Sequence, residues 1–148
     1  MTKLFNSTFE ISLRILLMLS VSDESGITID RVVAYDFITI YSHNFGLSDS
    51  NLHGDNDFSF SEFASRRNLM TNAMKSLVLD NMVSVLRKKD GFRYAINEFG
   101  RKFCQQMTTE YAAAYLKLAK KTLITFNMKS EVEILNLISS ESMKALRR

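Results

Sequence analysis

The chain has 148 residues, a net charge of +3, 46% hydrophobic and 24% charged residues, which excludes a disordered protein and indicates a folded one. The longest apolar run, residues 15–19, is too short to span a bilayer, and the first residues lack a signal-peptide pattern. The single cysteine, Cys104, excludes an internal disulfide and a cysteine-based zinc site. We therefore expect a cytoplasmic protein, with Cys104 as a small core residue.

The charge is unevenly distributed along the chain. Residues 1–60 carry 3 basic and 8 acidic side chains, a net charge of −5, whereas residues 61–121 carry 12 and 5, a net charge of +7. A basic second half permits contacts with phosphates. It does not require them, because solvated helix faces reach similar charge densities.

Helical periodicity predicts two helices at the start of the chain. The first covers residues 6–21, with Asn6 or Ser7 as the capping residue. The second begins after Thr28 and ends near Ser42, with Asp36 on its periodic face.

A capping box marks the start of a third helix. The Ser59 hydroxyl is expected to accept from the amide of Glu62, whose carboxylate bonds back to the amide of Ser59. Phe58 and Phe63 occupy the two positions of a hydrophobic staple, and the helix is predicted to end near Asn81.

A β-hairpin follows the third helix. Residues 82–87 alternate as a strand, residues 88–91 contain the Asp-Gly turn signal, and residues 92–96 form the returning strand. Asn97 is expected to cap a further helix. Three helices followed by a two-stranded wing predict a mostly helical α+β fold, a winged helix-turn-helix domain over residues 1–107.

Residues 108–148 are predicted to form a C-terminal helical extension. A long helix begins at Thr108 or Thr109 and ends at Phe126, and a second capping box at Ser130 opens the last helix. The long helix has an apolar arc too wide for one packing partner, which suggests two, so that the extension packs on the domain or on a second protein. The residues of this arc that we expect to bind a partner are Tyr111, Tyr115, Leu118 and Phe126.

The loop between the second and third helices contains residue types that metal sites use. His43, Asp49, His53, Asp55 and Asp57 match neither the zinc motif His-Glu-x-x-His nor a calcium loop, and turn chemistry explains the same residue types. No nucleophile motif or Gly-rich phosphate loop occurs in the sequence. We therefore expect no catalytic residues, no metal and no cofactor; a metal-dependent enzyme at His43 and His53 stays as an alternative.

Two sets of basic residues bear on nucleic-acid binding. The candidate DNA contacts are Lys75 on the third helix and Arg87, Lys88, Lys89 and Arg93 in the wing.

Solvated turn residues are an equally good interpretation of the wing lysines, and the face of the third helix opposite its core is mostly Ser and Asn. On that helix, Arg66 is expected at the margin of the apolar arc. Arg67 is expected inside the arc, as an ion-pair partner of Asp55 or Asp57. Structural or partner-binding roles are favoured for both arginines over DNA contact.

Several long strings of residues resemble one known family. The chain looks like the middle component, type 2, of bacterial three-component ABC-ATPase systems of the Lamassu kind, which defend against phages and plasmids. The resemblance covers residues 4 to about 126. Its strings are LFNSTFEISLRIL (4–16), DRVVAYDFITIY (30–41), NLHGDNDFSFSEFASRR (51–67), AMKSLVLDNMV (73–83) and GFRYAINEFGRKF (91–103).

The resemblance implies a small, non-enzymatic winged-helix accessory subunit. Its expected partners are an SMC- or Rad50-like ATPase, which senses DNA, and a separate effector, often a nuclease. Contact with DNA would then pass through the complex, and no membrane would be involved. The alternative, drawn from the fold alone, is a winged-helix transcriptional regulator that binds DNA directly.

Overall fold

A computed structural model describes residues 7–53 and 60–146 of the chain. In this part of the chain six helices accompany one antiparallel hairpin, which confirms the mostly helical α+β class. None of these helices combines the length and apolar composition needed to cross a bilayer. The elements are α1 (Thr8–Ser20), α2 (Ile29–Ile40), α3 (Phe60–Leu79), β1 (Val83–Lys88), β2 (Gly91–Ile96), α4 (Glu98–Gln105), α5 (Glu110–Phe126) and α6 (Glu131–Leu146).

The predicted capping residues start the helices where local hydrogen bonding favours them. Side chains of the capping residues accept from backbone amides in the first turns of α1, α2, α4 and α5; the caps are Ser7, Thr28, Asn97 and Thr109. At α6 the capping box is complete, since Ser130 Oγ accepts from the Glu133 amide and Glu133 Oε1 accepts from the Ser130 amide, both at 3.1 Å. The predicted capping box and staple of α3 involve Ser59 and Phe58, which lie outside the described residues.

The hairpin is held in register by a two-residue turn. Val83 pairs with Ile96 and Lys88 with Gly91, so that Lys89 and Asp90 form the connection. Gly91 has a φ of 122°, a conformation that favours glycine. The sequence therefore predicts the turn correctly, and each strand boundary to within one residue.

Two neighbouring segments are pressed closely against this hairpin. Ile27, between α1 and α2, forms an antiparallel bridge with Tyr94 of β2, with N–H···O distances of 3.0 and 2.8 Å. Gly100 brings α4 against the end of β1, because a Cβ atom there would lie 2.5 Å from the Met82 carbonyl oxygen. The hairpin is thus fixed to the helices on both sides rather than projecting alone.

One continuous hydrophobic core joins all the helical layers. Its most buried residues belong to α1 and α2, as expected for central helices, and α5 and α6 add further side chains to the same core. The residues that α5 and α6 contribute are Ala112, Tyr115, Ala119, Phe126, Ile134 and Ile138. Half-buried Cys104 packs against the core, and burial raises the pKa of its thiol to about 11.

Candidate functional site

A buried ion pair lies at the centre of the helices. Arg14 of α1 donates from Nε to Oδ1 of Asp36 on α2 at 2.9 Å and from Nη2 to Oδ2 at 3.2 Å. The Tyr115 hydroxyl of α5 donates to the same Oδ1 at 2.6 Å. Both charged side chains are almost completely excluded from solvent. One carboxylate therefore joins three helices, an arrangement that disfavours loss of any one partner.

A second charged pair borders this one. Arg66 of α3 donates from Nη2 to Glu62 at 3.2 Å, and its Nη1 lies 3.9 Å from Oδ2 of Asp36. The Tyr41 hydroxyl donates to Glu62 Oε1 at 2.9 Å. The guanidinium of Arg66 also lies over the ring of Phe37. Together Arg14, Asp36, Tyr115, Arg66, Glu62 and Tyr41 form what we call the ionic cluster.

Arg66 is only partly satisfied within the ionic cluster. Its side chain is buried, with the residue 7% exposed, and its Nε and Nη1 atoms have no hydrogen-bond partner among the described residues. A buried guanidinium with open donors is costly, because desolvation is not fully offset. Within the ionic cluster, Arg66 therefore holds α3 mainly through charge attraction rather than through a complete set of hydrogen bonds. Two guanidinium groups face two carboxylates there.

The positions of Arg66 and Arg67 reverse the sequence-based prediction. Arg66 lies inside the buried arc of α3, whereas Arg67 is exposed and pairs with Asp30 at 2.8 Å. The arc is rotated because Ala73 is fully buried while Val78 is only half-buried, which brings Arg66 inward. The predicted partners of Arg67, Asp55 and Asp57, lie outside the described residues.

The ionic cluster fixes the protonation of its members. Burial alone would raise the pKa of Asp36, but the Arg14 and Arg66 guanidiniums outweigh it and hold the pKa below its usual range. Burial and the carboxylate of Asp36 raise the pKa of Tyr115 well above its usual value. Burial and the hydrogen bond to Glu62 raise the pKa of Tyr41 to about 12. At neutral pH the Asp36 carboxylate is thus ionised, and the phenols of Tyr115 and Tyr41 act as hydrogen-bond donors.

The two histidines of the predicted metal hypothesis lie in different surroundings. His53 stacks on Tyr111 and shares a hydrogen bond between Nε2 and the phenol, while exposed His43 bonds through Nδ1 to the Ser48 carbonyl at 3.0 Å. Burial, followed by the positive charge of Arg14, lowers the pKa of His53 to about 4. Within residues 7–53 and 60–146 no group of three acidic, His or Cys side chains is placed to hold a metal ion.

The predicted partner-binding residues of α5 are divided between core and surface. Tyr115 is 0% exposed and Phe126 is nearly as buried, so their side chains face the interior of this chain rather than a partner. Tyr111 and Leu118 are half-buried and remain candidates. The wide apolar arc that suggested a second protein is covered largely by α1 and α2.

The predicted DNA contacts are on the surface. In the hairpin, Arg87, Lys88 and Lys89 are exposed, and the described residues provide no ion-pair partner for them. Arg93 differs, because it pairs with Asp90 at 2.8 Å. On α3 Lys75 is exposed together with Ser65, Asn68, Asn72 and Ser76, but the exposed residues also include Arg67, Leu69 and Leu79, which the sequence did not place there.

Sequence reasoning missed the centre of the ionic cluster. Arg14 reads as an interruption in an apolar helix, and Asp36 reads only as a member of a periodic face. A usable signal was present, because charges of opposite sign lie within the apolar faces of two consecutive helices, where each charge requires a partner.

Comparison with known proteins identifies the family of the chain. A model of the family described as ABC-three component (ABC-3C) system Middle Component 2 matches residues 4–148. The match extends beyond residue 126, where the sequence resemblance was expected to end, and includes α6. No curated protein and no solved structure matches the chain. The chain therefore belongs to the Middle Component 2 family of ABC-three component systems.

Proposed function

We propose that this protein is a non-enzymatic accessory subunit of a bacterial anti-phage defence complex. It docks on an SMC- or Rad50-like ATPase, as in Lamassu-like systems, and couples DNA sensing to an effector such as a nuclease. Membership of the Middle Component 2 family carries this proposal, because a middle component of a three-component system has partner subunits.

The topology supports a winged helix-turn-helix for this subunit. Three helices precede the hairpin, and the bridge between Ile27 and Tyr94 adds a short third strand position between α1 and α2. Such domains present their third helix to DNA, and the exposed residues of α3 are mostly polar, with Leu69 and Leu79 as exceptions. In such a domain the exposed face of α3 and the hairpin are the surfaces available for binding another macromolecule.

The ionic cluster supports a role other than catalysis. Its charged centre, Arg14 with Asp36, is closed to solvent and its groups bind one another. Reactive groups in an enzyme must reach a substrate. We therefore assign the cluster to the positioning of α1, α2, α3 and α5.

The test is co-expression of the three components with an affinity tag on this chain. We expect the ATPase component to be recovered at a fixed ratio, and the recovery to persist after nuclease treatment. Recovery of DNA with no protein partner would contradict the proposal and favour a transcriptional regulator.

A second candidate function is direct contact with DNA phosphates through the wing. The observation that favours it is the exposure of Arg87, Lys88 and Lys89 without ion-pair partners among the described residues. We expect Lys88→Glu with Lys89→Glu to weaken duplex binding and to reduce the salt slope by roughly 1 for each phosphate that is no longer bound.

The matched control for the wing variant is Lys120→Glu with Lys129→Glu, which makes the same charge change at exposed positions elsewhere. Equal weakening by both double variants would indicate a general charge effect and would remove the wing as a specific contact.

A further inference from the structure

An apolar groove lies between α1 and the junction of α4 with α5. It has a volume of about 600 Å³, and its apolar walls include Phe9 and Leu13 from one side and Phe103, Met107 and Tyr111 from the other. Phe9 is 67% exposed at the rim, and Leu13, Phe103 and Met107 are half-buried. Apolar side chains gathered in one concave site, unlike scattered exposed ones, are typical of a binding surface.

The charged side chain at this groove is acidic. Glu10 is the one charged residue among the described residues that line it, and no Lys, Arg or His is among them. A ligand that covers the apolar floor is therefore favoured if it brings positive charge beside Glu10.

We propose that this groove binds an amphipathic helix of another component of the three-component system, with Lys or Arg flanking its apolar face. The inference rests on the proposed function, because it requires partner subunits. The wall that α1 contributes runs from Phe9 to Leu17, which lie eight residues apart along the helix. At 1.5 Å per residue this is about 12 Å, so about two turns of a bound helix, with anchors at positions i, i+4 and i+7, fit along it.

The carboxylate of Glu10 argues against the other occupants. A second copy of this chain, bound symmetrically through the same surface, would place Glu10 close to its own equivalent. Nucleic acid would place phosphates beside the same carboxylate. Both arrangements bring like charges together, whereas a basic helix neutralises the charge of Glu10.

The chain provides a matched pair of aromatic residues for the test. Phe9 and Phe99 each occupy the second position of a helix, and their exposures are similar, at 67% and 62%. Only Phe9 lines the groove. We expect Phe9→Glu to reduce recovery of the partner from the co-expressed complex at least 10-fold, and Phe99→Glu to leave it unchanged.

The charge is tested separately. Glu10→Lys should weaken recovery and Glu98→Lys should not, since both replace an acidic residue in a first helical turn but only Glu10 lines the groove. Thermal unfolding of each purified variant checks that the fold is intact. We expect an intact fold for Phe9→Glu, because the Phe9 side chain is largely exposed.

The outcomes separate this inference from the proposed function. If the Phe9→Glu and Glu10→Lys variants recover the partner as well as the wild-type chain does, the groove is not the docking site. The proposed role as a subunit would be unaffected by that result. Failure of the wild-type chain to recover any component would overturn both. Self-association of the wild-type chain that Phe9→Glu abolishes, measured by light scattering, would replace the partner helix by a second copy.

Discussion

Asp36 receives the hydrogen bonds of Arg14 and Tyr115 in the interior, so its charge compensates a guanidinium that water does not reach. We expect Asp36→Asn to lower the free energy of unfolding by roughly 3–5 kcal/mol, because it removes the carboxylate that compensates the buried positive charge of Arg14. Urea denaturation of the purified chain measures this. The control is Asp30→Asn, which breaks the half-exposed pair with Arg67 and should cost about 1 kcal/mol or less.

Replacement of both partners of the buried pair gives a complementary result. Arg14→Met with Asp36→Leu removes the two charges together, and we expect it to recover much of the loss caused by Asp36→Asn. If Asp36→Asn and Asp30→Asn lower the free energy of unfolding by the same amount, the buried pair stabilises the fold no more than the half-exposed pair does.

His53 gives the fold a pH dependence with a defined sign. Its pKa is lowered to about 4 in the folded chain from 6.5, so below pH 6.5 the unfolded chain binds the proton more readily. Stability should therefore fall as the pH drops from 6.5 towards 4. Urea denaturation across this range should show a shallower fall for His53→Gln. The control is His43→Gln, which replaces an exposed histidine in the loop. If the free energy of unfolding of His53→Gln falls with pH as steeply as that of the wild-type chain, His53 is not the source of the pH dependence.

At the scale of the elements, contact between α4 and the hairpin depends on Gly100. Alanine in a helix is favoured over glycine by about 1 kcal/mol, which alone would stabilise Gly100→Ala. The added Cβ, however, would lie 2.5 Å from the Met82 carbonyl oxygen and 2.6 Å from Ile96 Cγ1. Because the oxygen belongs to the backbone, we expect the clash to prevail and the variant to lose roughly 1–3 kcal/mol.

The measurement is the midpoint of thermal unfolding. Ser140→Ala, at an exposed position within α6, is the control for helix propensity and should not lower the midpoint. A higher midpoint for Gly100→Ala would mean that α4 moves away from the hairpin without cost.

The elements were more predictable than their rotation and contacts. Caps such as Thr28 and Asn97 and the Asp-Gly turn act within a few residues, so the sequence shows them directly. The positions of Arg66 and Arg67 were predicted the wrong way round, because a helical-wheel projection assigns the buried face from the large apolar residues. In the structure the small residue Ala73 is buried deeper than Val78, so the buried face includes Arg66. Tyr115 was expected on the surface, since its contact with Asp36 spans 79 residues and no local pattern indicates it.

At the scale of the whole molecule, α5 completes the interior formed by the six elements that precede it. A chain of residues 1–107 would lose the Tyr115 hydroxyl from Asp36 and uncover apolar side chains of α1 and α2. We expect it not to unfold cooperatively, as judged by near-ultraviolet circular dichroism and urea denaturation. A chain of residues 1–128, which keeps α5 and lacks α6, should retain a cooperative transition at lower urea.

Cooperative unfolding of the 1–107 chain would instead support the predicted division into a domain and an extension. Shared burial of Ala112, Tyr115 and Ala119 with α1 and α2 argues for the first outcome.

The bridge between Ile27 and Tyr94 has a consequence for local opening of the chain. Its two hydrogen bonds connect the hairpin to the segment just before Thr28, whose hydroxyl donates to Glu131 of α6. We therefore expect the hairpin to separate from the start of α2 only when both hydrogen bonds break. Native-state hydrogen exchange would then give the Ile27 and Tyr94 amides the same opening free energy, whereas unequal values would show that the two sides open independently.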